Sequence, residues 1–406
     1  MTDTQSIEIA ILGALDRYNY GDLLFPLILR HYLKTKGTNA IISCYGLIGA
    51  DYEQVGSVRV RPFHEFYRRY LEDTKSKNVI IIAGGRVMAP RAGTLYSFIR
   101  STPLLNVIGL AAQVFHLPNP ADRIAQRKLQ ITWGDFPFCP TRPNQKTLLI
   151  YNAVGGNARL VPQLLPAVSQ ADSISIRNPA LFTRLKEELS EKNVMLCPDS
   201  AAVMSRLWPL NWLRDRMSPQ VAAILKDYPD GYIVVQLKNK YQRCLTQIAH
   251  ELNQLCHQSR LPLVLVPLGR AARHEDQVLL QSLARQLTVP SQFAQSTHIH
   301  DIMGLIAHAD LFIGTSLHGN ITAMSYARPH LGIGSIPKLD QYIKYWDVEP
   351  NKSTGTVKPN QICSAAIHVL EKTDKGQLQQ NAEQLSQLSH EDLIRIAERV
   401  QQYITD

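Results

Sequence analysis

The residues most suited to chemistry form the run Thr315-Ser316-Leu317-His318-Gly319. Two hydroxyls stand next to an imidazole, and together they make a compact cluster of hydrogen-bond donors. Glycine at the end of the run leaves space for a ligand to approach closely. A capping or core role is the alternative for His318, but the neighbouring hydroxyls and glycine favour a histidine that binds an anion or transfers a proton.

The sequence around this run predicts a strand, a helix and a second strand. We expect the first strand over residues 309–313, the helix over 317–327 until Arg328-Pro329 stops it, and the second strand over 330–334. The handedness of such a unit requires a parallel sheet. His318 then lies in the first turn of a helix at the carboxyl edge of the sheet, where free backbone N–H groups and the helix dipole favour an anion.

Two strands earlier in the chain also end in polar or glycine-containing turns. Residues 7–13 predict a buried strand, and the turn after it carries Asn19 and Asp22. Another predicted strand ends at Gly84-Gly85. Helix capping by Asp22 and tight packing at the glycine pair remain open alternatives to ligand contact. The first turn lacks the G-x-G-x-x-G spacing, so the sequence does not predict a dinucleotide site there.

Arg177 ends a predicted strand over residues 173–177, just before Asn178-Pro179 open a helix. A surface position is the usual explanation for an arginine. At the carboxyl edge of a strand beside glycine turns, however, a guanidinium group is well placed to bind phosphate or carboxylate through two hydrogen bonds. We therefore expect Arg177 to bind an anion.

The length of 406 residues exceeds one ordinary core, so we expect two domains in an α/β chain. The strand and helix pattern predicts a first Rossmann-like domain over residues 1–205, a linker over 206–230 and a second Rossmann-like domain over 231–350. A helical tail over 351–406 is expected to pack back on the first domain. No repeat of fixed period appears.

The composition is that of a globular protein, with 45% hydrophobic and 19% charged residues. The formal net charge of +9 favours an acidic partner, such as a phosphorylated substrate, an anionic membrane surface or nucleic acid. No block of Lys and Arg interleaved with aromatic residues appears, so we expect no nucleic-acid partner.

The cysteines and the N-terminus indicate the compartment. The six cysteines show no paired spacing, so we expect reduced thiols in an intracellular chain. No secretory signal is visible, and the longest apolar stretch, residues 103–115, is too short to span a bilayer. We expect a cytoplasmic protein and leave open peripheral contact with the inner face of the cytoplasmic membrane.

Two sets of polar residues in the sequence do not have the spacing of a metal site. His298, His300 and His308 surround the helix before the central run, but no fourth ligand follows at zinc spacing. The run 274–276 (HED) fits capping of a helix N-terminus better than metal binding. The sequence predicts no metal.

Residues 309–345 resemble the polysaccharide pyruvyl transferase family at its most characteristic stretch. In that family a strand ends in Ser-Leu-His or Arg-Leu-His, followed by a small residue, an Ala-containing helix, a proline and another apolar strand. Here the step is Ser-Leu-His at 316–318, and Lys338 and Tyr342 lie in the family's later Lys- and Tyr-bearing segment. Many relatives carry Arg in place of Ser316, so this chain must hold a donor's charge with another cation.

The resemblance extends from residue 9 to about 345. The Asn-x-Gly-Asp step at 19–22, the glycine pair at 84–85 and Arg177 at the end of a Ser-x-Arg strand match the family's pattern. The Pro198-Asp199 step matches the one that closes the family's first domain.

The resemblance implies a GT-B-like architecture, in which two Rossmann-like domains face a central cleft, the second binds the donor, and the C-terminal helix returns across the hinge. It implies transfer of a pyruvyl group from phosphoenolpyruvate to two hydroxyls of a sugar. That sugar belongs to a polysaccharide or its lipid-linked precursor, and the products are a cyclic ketal and phosphate. This chemistry requires no metal or organic cofactor.

This chemistry gives each candidate residue a role. His318 is expected to be the general acid that protonates the donor's methylene carbon. The donor's negative charge is expected to be held by Arg177, Lys238, Thr315 and Ser316. Asn19 and Asp22 are expected to face the acceptor. The remaining substrate-binding positions are Gly84, Gly85, Gly319 and Lys338.

Two other functions are compatible with the same sequence. A GT-B glycosyltransferase would bind a uridine or guanosine diphosphate sugar and would not respond to phosphoenolpyruvate. A non-catalytic module would bind an anionic glycan tightly and release no phosphate.

Overall fold

The fold is built on two β-sheets, each covered by helices. The computed structural model describes residues 7–72, 77–99, 120–270 and 276–406. The apolar stretch 103–115 and most of the run 274–276 lie outside these residues.

Eight strands form the first sheet, in the order β3-β4-β2-β1-β5-β6-β7-β8, and all neighbouring pairs are parallel except β3 with β4. Their bounds are β1 Glu8–Leu12, β2 Ile41–Gly46, β3 Ala50–Asp51, β4 Arg59–Pro62, β5 Asn78–Ala83, β6 Thr147–Val154, β7 Ser173–Ile176 and β8 Val194–Leu196. The central strands are buried on both faces, which explains their continuous apolar sequences.

Five parallel strands form the second sheet, in the order β11-β10-β9-β12-β13. Their bounds are β9 Ile233–Gln236, β10 Leu263–Leu265, β11 Ser291–Phe293, β12 Leu311–Gly314 and β13 His330–Gly332. We call the eight-stranded sheet with its helices the first lobe, and the five-stranded sheet with its helices the second lobe.

Helices of at least eight residues cover these sheets in the described part of the chain. They are α1 Tyr20–Thr35, α2 Ala92–Ile99, α3 Pro120–Leu129, α4 Val161–Val168, α5 Pro179–Glu188, α6 Pro219–Asp227, α7 Leu245–Ser259, α8 Asp276–Ala284, α9 Ile299–Ala307, α10 Leu317–Ser325, α11 Pro337–Trp346, α12 Ile362–Lys372 and α13 Lys375–Thr405. None of the described helices is both long and apolar enough to cross a membrane.

The predicted strand, helix and strand around His318 are β12, α10 and β13. The Ser316 hydroxyl caps α10 by accepting a hydrogen bond from the Gly319 backbone N–H at 3.3 Å. The helix ends two residues earlier than expected, because Ala327 adopts a left-handed backbone with φ of +52°. The second strand is likewise shorter than predicted.

One hydrophobic core runs through both lobes. It joins buried residues of α1, such as Leu24, to Ile321 of α10 and to Ile396 of α13. Backbone hydrogen bonds also cross between the lobes, from the Tyr20 N–H to the Leu268 carbonyl at 2.9 Å. The domain boundaries expected at 205, 230 and 350 remain predictions, since this core is continuous across them.

The C-terminal helix α13 returns to the first lobe, which confirms that part of the expected fold. The Tyr32 hydroxyl lies 2.7 Å from His390 Nδ1. On the next turn, the buried Asp392 carboxylate accepts hydrogen bonds from Ser175 Oγ at 2.7 Å and Asn152 Nδ2 at 3.3 Å. The helix therefore holds the ends of β6 and β7 in place.

A buried ion pair closes the second sheet beside β13. His330 Nε2 lies 2.8 Å from Asp347 Oδ2, and its Nδ1 lies 2.9 Å from the Arg328 carbonyl oxygen. Because both ring nitrogens face acceptors, both must carry protons, and the ring is an imidazolium. Burial alone would lower the pKa of His330, but the Asp347 carboxylate and the Arg328 carbonyl raise it above its ordinary value.

The stability of the protein should depend on pH through this pair. The folded pKa of His330 exceeds the unfolded value of about 6.5, so the stabilisation is complete below about pH 6.5 and is lost as pH rises through the folded pKa. Asp347→Asn should remove it. Urea titrations should therefore give a difference in unfolding free energy between the two proteins that is largest below about pH 6.5 and shrinks as pH rises through the folded pKa of His330. A difference that stays constant over this range would contradict the assignment.

Candidate active site

A buried carboxylate, Asp199, lies at the centre of the site. It follows β8 and has no solvent exposure. Its Oδ2 forms an ion pair with the Arg177 guanidinium and lies 3.6 Å from His318 Nε2. The structure thus brings together the two residues on which the sequence placed most of the chemistry.

Contacts from the second lobe and from α13 fix the backbone of Asp199. Its N–H donates to the Tyr342 hydroxyl of the second lobe at 3.3 Å, and its carbonyl accepts from Ser389 Oγ of α13 at 3.2 Å. Burial alone would raise the pKa of the Asp199 carboxyl, but Arg177 and the neighbouring imidazole hold it well below its usual range. The group is therefore a carboxylate at any physiological pH.

Helix α1 of the first lobe sets the position of the His318 ring. A Cβ added to Gly21 would lie 1.7 Å from His318 Nδ1, so only glycine fits at this point of α1. Phe25 packs on the ring edge-to-face, with centroids 5.4 Å apart. Beside them, the Tyr20 hydroxyl lies 3.0 Å from Thr322 Oγ1 of α10. The imidazole is only 6% exposed, although it belongs to the other lobe.

A cavity between the lobes lies next to this cluster. It encloses about 410 Å³ of space, including the solvent at its mouth. Three cationic side chains line it, Arg86 and Arg177 from the first lobe and Lys338 from the second. Asn178 and Pro179, where α5 begins, line it as well, so the positive end of a helix dipole adds to the same field. The cavity is suited to a small, strongly negative ligand. Its other lining residues are Gly155, Gly156, Leu317, Gln341 and Tyr342.

Burial and the neighbouring positive charges change the pKa values of two lysines of the second lobe. Enclosure between the lobes, followed by repulsion from Lys238, Arg177 and Arg86, lowers the pKa of Lys338 to about 7. The Lys338 side chain is nonetheless exposed to water within the cleft, which offsets part of this effect. Burial also lowers the pKa of Lys238, while Asp276 opposes that shift.

The hydroxyls of the central run serve the second lobe itself. Thr315 is fully buried, and its hydroxyl donates to Gln236 Oε1 and accepts from the Lys238 N–H, both at 3.1 Å. The Thr315 hydroxyl therefore positions the Lys238 backbone, and its contact with a donor stays a prediction. Ser316 caps α10 and retains 9% exposure. Gly319 is required by packing, because an added Cβ would lie 2.3 Å from the Phe312 ring.

The other candidates of the first lobe lie at the start of α1 and after β5. Asn19 Nδ2 donates to Asp22 Oδ2 at 2.8 Å, and Asn19, not Asp22, occupies the N-cap position. Gly84 and Gly85 both have left-handed backbones, with φ of +46° and +69°. Gly84 packs against the Phe25 ring, whereas a Cβ on Gly85 would lie 3.4 Å from Asp22 Oδ1. Packing therefore explains the first glycine, and the second lies beside the Asp22 carboxylate.

Sequence reasoning missed three residues of this site. In the sequence, Asp199 stands out only as part of the Pro-Asp step, and Gly21 only as the glycine of the Asn-x-Gly-Asp step. Arg86 follows Gly84-Gly85 at the end of β5, so the same rule that identified Arg177 at a strand end would have found it. The family step marks Gly21, but the sequence does not show the reason for it, which is a side chain in the other lobe.

The histidines near α9 have structural neighbours. The His300 ring packs against Trp212 and Trp208, with centroids 4.9 and 5.4 Å away. Burial lowers the pKa of His300 to about 4. In residues 7–72, 77–99, 120–270 and 276–406, no three His, Cys, Asp or Glu side chains form a group that could hold a metal ion.

The two facing lobes place the chain among GT-B-like α/β proteins, as expected from the sequence. S. aureus MnaA, in a co-structure with UDP, is 12% identical, with 99% of this chain and 97% of that chain covered and a TM-score of 0.51. The UDP-GlcNAc 2-epimerase of Methanocaldococcus jannaschii, in complex with UDP-GlcNAc and UDP, is also 12% identical, with coverages of 97% and 99% and a TM-score of 0.52. At such identities the likeness shows the fold alone.

The model of the polysaccharide pyruvyl transferase family matches residues 19–336. The chain therefore belongs to the polysaccharide pyruvyl transferase family, which confirms the resemblance seen in the sequence. The family is one of transferases whose acceptor is a sugar or polysaccharide. No curated protein matches the sequence.

Substitution of Gly21 should disturb the site from the opposite lobe. Gly21→Ala places a methyl group on the His318 ring and should lower the free energy of unfolding by about 1–3 kcal/mol, the usual cost of overpacking. Gly49→Ala is the matched control, since its added Cβ would meet atoms no closer than 3.6 Å, and its effect should stay within about 0.5 kcal/mol. Equal stability of the two variants in urea denaturation would show that the His318 ring can move aside at little cost in free energy.

Proposed function

We propose that this protein transfers the pyruvyl group of phosphoenolpyruvate to two hydroxyls of a sugar in a polysaccharide or its lipid-linked precursor. The products are a cyclic ketal and inorganic phosphate. The observation that carries the proposal is a cationic cavity beside the Asp199–His318 pair, in a chain of the pyruvyl transferase family. We further propose a cytoplasmic protein, with contact at the inner face of the membrane where the acceptor is lipid-linked.

The donor carries a phosphate and a carboxylate on one small carbon skeleton, so it needs several cations close together. Arg177, Lys338 and the start of α5 meet this need, and their charges lie around one cavity. Arg86 adds a further cation, which suits a chain with Ser316 where many relatives have Arg. Lys238 lies at the edge of the same field, since its charge acts on Lys338.

The reaction then proceeds without redox change. His318 gives a proton to the methylene carbon, which becomes the methyl group, while the carbon bearing the phosphate becomes electrophilic. One sugar hydroxyl adds to this carbon, the bond to phosphate breaks, and the second hydroxyl adds. Of the two hydroxyl protons, one replaces the proton that His318 gave, and the other leaves with the phosphate. Asn19 and Asp22 orient the acceptor from the first lobe.

Phosphate release from phosphoenolpyruvate should require a sugar acceptor. A panel of lipid-linked and nucleotide-linked sugars should identify acceptors, and mass spectrometry should show addition of a pyruvyl ketal. His318→Ala should abolish turnover but weaken donor binding by only about 1–2 kcal/mol, because the cations remain. His308→Ala, which alters a histidine remote from the cavity, serves as the control.

Each other outcome has a clear meaning. Release of UDP or GDP from a nucleotide sugar, with no use of phosphoenolpyruvate, would identify a glycosyltransferase. Tight glycan binding without phosphate release would identify a binding module. Full activity of His318→Ala would end its assignment as the general acid.

The capture of donor should depend on the charge of Lys338. Because its pKa is lowered to about 7 in the free site, kcat/KM for phosphoenolpyruvate should fall as pH rises through about 7. Lys338→Met should lose this dependence and have a lower kcat/KM at about pH 6. Titration of the donor itself affects both proteins equally, so the ratio of their profiles isolates the lysine. A ratio that does not vary with pH would remove Lys338 from donor binding.

A further inference from the structure

We propose that Asp199 is a positioning residue of the active site, whose carboxylate holds Arg177 and His318 in one arrangement without touching the substrate. The inference rests on the proposed function, and it concerns a residue that the cavity does not expose. Asp199 has no solvent exposure and does not line the cavity, whereas Arg177 does. Its influence must therefore pass through its neighbours.

The Asp199 carboxylate has no freedom to reorient. Its Oδ1 accepts a hydrogen bond from the Ala201 N–H at 3.0 Å, which leaves Oδ2 for both Arg177 and His318. The Arg177 backbone is fixed as well, since its N–H donates to the Val154 carbonyl at 3.1 Å and its carbonyl accepts from Trp346 Nε1 at 3.0 Å. The ion pair with Asp199 then fixes the guanidinium along the wall of the cavity.

The pairing with His318 differs from a structural ion pair. In the buried pair near β13, His330 Nε2 makes a hydrogen bond of 2.8 Å with Asp347. His318 Nε2 instead lies 3.6 Å from Asp199 and is a buried nitrogen without a hydrogen-bond partner among the described residues. Buried polar atoms are rarely left unpaired without a functional reason. Asp199 therefore lies beside the His318 ring without closing a hydrogen bond to Nε2, which leaves the hydrogen-bonding capacity of that buried nitrogen unused.

The direction in which donor affinity changes when Asp199 is neutralised separates a positioning role from a purely electrostatic one. Removing a negative charge next to an anion site should tighten anion binding by Coulomb attraction alone. If Asp199 positions the cationic groups, its neutralisation should instead weaken binding, because Arg177 loses its anchor. The two explanations thus predict opposite changes in affinity.

The test is Asp199→Asn in the full chain. Calorimetry with phosphoenolpyruvate should show binding about tenfold weaker, and kcat should fall by at least about tenfold. Asp347→Asn is the matched control, a buried carboxylate paired with a histidine outside the cavity. It should lose stability with kcat and KM unchanged within about twofold. Tighter or unchanged donor binding with unchanged kcat in Asp199→Asn would overturn the proposal.

A second variant guards against misfolding of the first. Ser389→Ala removes a hydroxyl of α13 that donates to the Asp199 carbonyl and does not line the cavity. It should weaken donor binding in the same direction by about twofold to threefold. An unchanged affinity in this variant, with Asp199→Asn unfolded, would also count against the proposal.

A readout without turnover separates this inference from the proposed function. The imidazole nitrogen resonances of His318, identified by their loss in His318→Gln, should shift in Asp199→Asn and stay in place in Asp347→Asn. If the unaltered protein neither binds nor consumes phosphoenolpyruvate but these resonances shift, the proposed function fails and the positioning role stands. Resonances that do not move would refute the positioning role whatever the substrate.

Discussion

The contact between the first turns of α1 and α10 is the constraint on which the site depends. Each helix begins at the carboxyl edge of a different sheet, and Gly21 lets the two approach until the His318 ring rests on the α1 backbone. The Tyr20–Thr322 hydrogen bond and the shared hydrophobic core stabilise this contact between the helices. The two helices therefore have few other ways to pack, because a close-packed buried interface does not deform gradually. The chemistry of the cleft is therefore a property of the assembled lobes, not of either one.

A cavity built to receive an anion faces a conflict of its own. Cationic side chains must lie close together to hold the ligand, yet in the free protein they repel one another, and this repulsion adds to burial in lowering the pKa of Lys338. Asp199 offsets part of this repulsion, because its buried carboxylate pairs with Arg177 and does not occupy the cavity. Local destabilisation of this kind is expected at functional sites and is compensated by the rest of the fold. Here the compensation comes from the continuous core and the returning helix α13.

Much of the fold was readable in the sequence because buried parallel strands have distinctive apolar runs. The predicted strands over 7–13 and 173–177 match β1 and β7 within a residue at each end, and the strand, helix and strand around His318 occur in the predicted order. Helix ends were less accurate. The left-handed backbone at Ala327, which ends α10, has no reliable signal in an alanine.

The site was only partly readable, because its key contacts join residues far apart in the chain. Arg177 could be inferred from its place at a strand end, but the partner that orients it follows a different strand. Asp199 meets Tyr342 and Ser389 across separations of 143 and 190 residues, and no local pattern encodes such a meeting.

Conversely, Thr315 and Gly319 looked functional in the sequence. One hydroxyl joins β9 to β12, and the glycine makes room for Phe312, so both serve the packing that positions the site. A motif thus marks the neighbourhood of a site more reliably than the task of each residue in it. The tasks follow from which side chains the fold leaves facing the cavity, and in this protein those include the cations Arg86, Arg177 and Lys338.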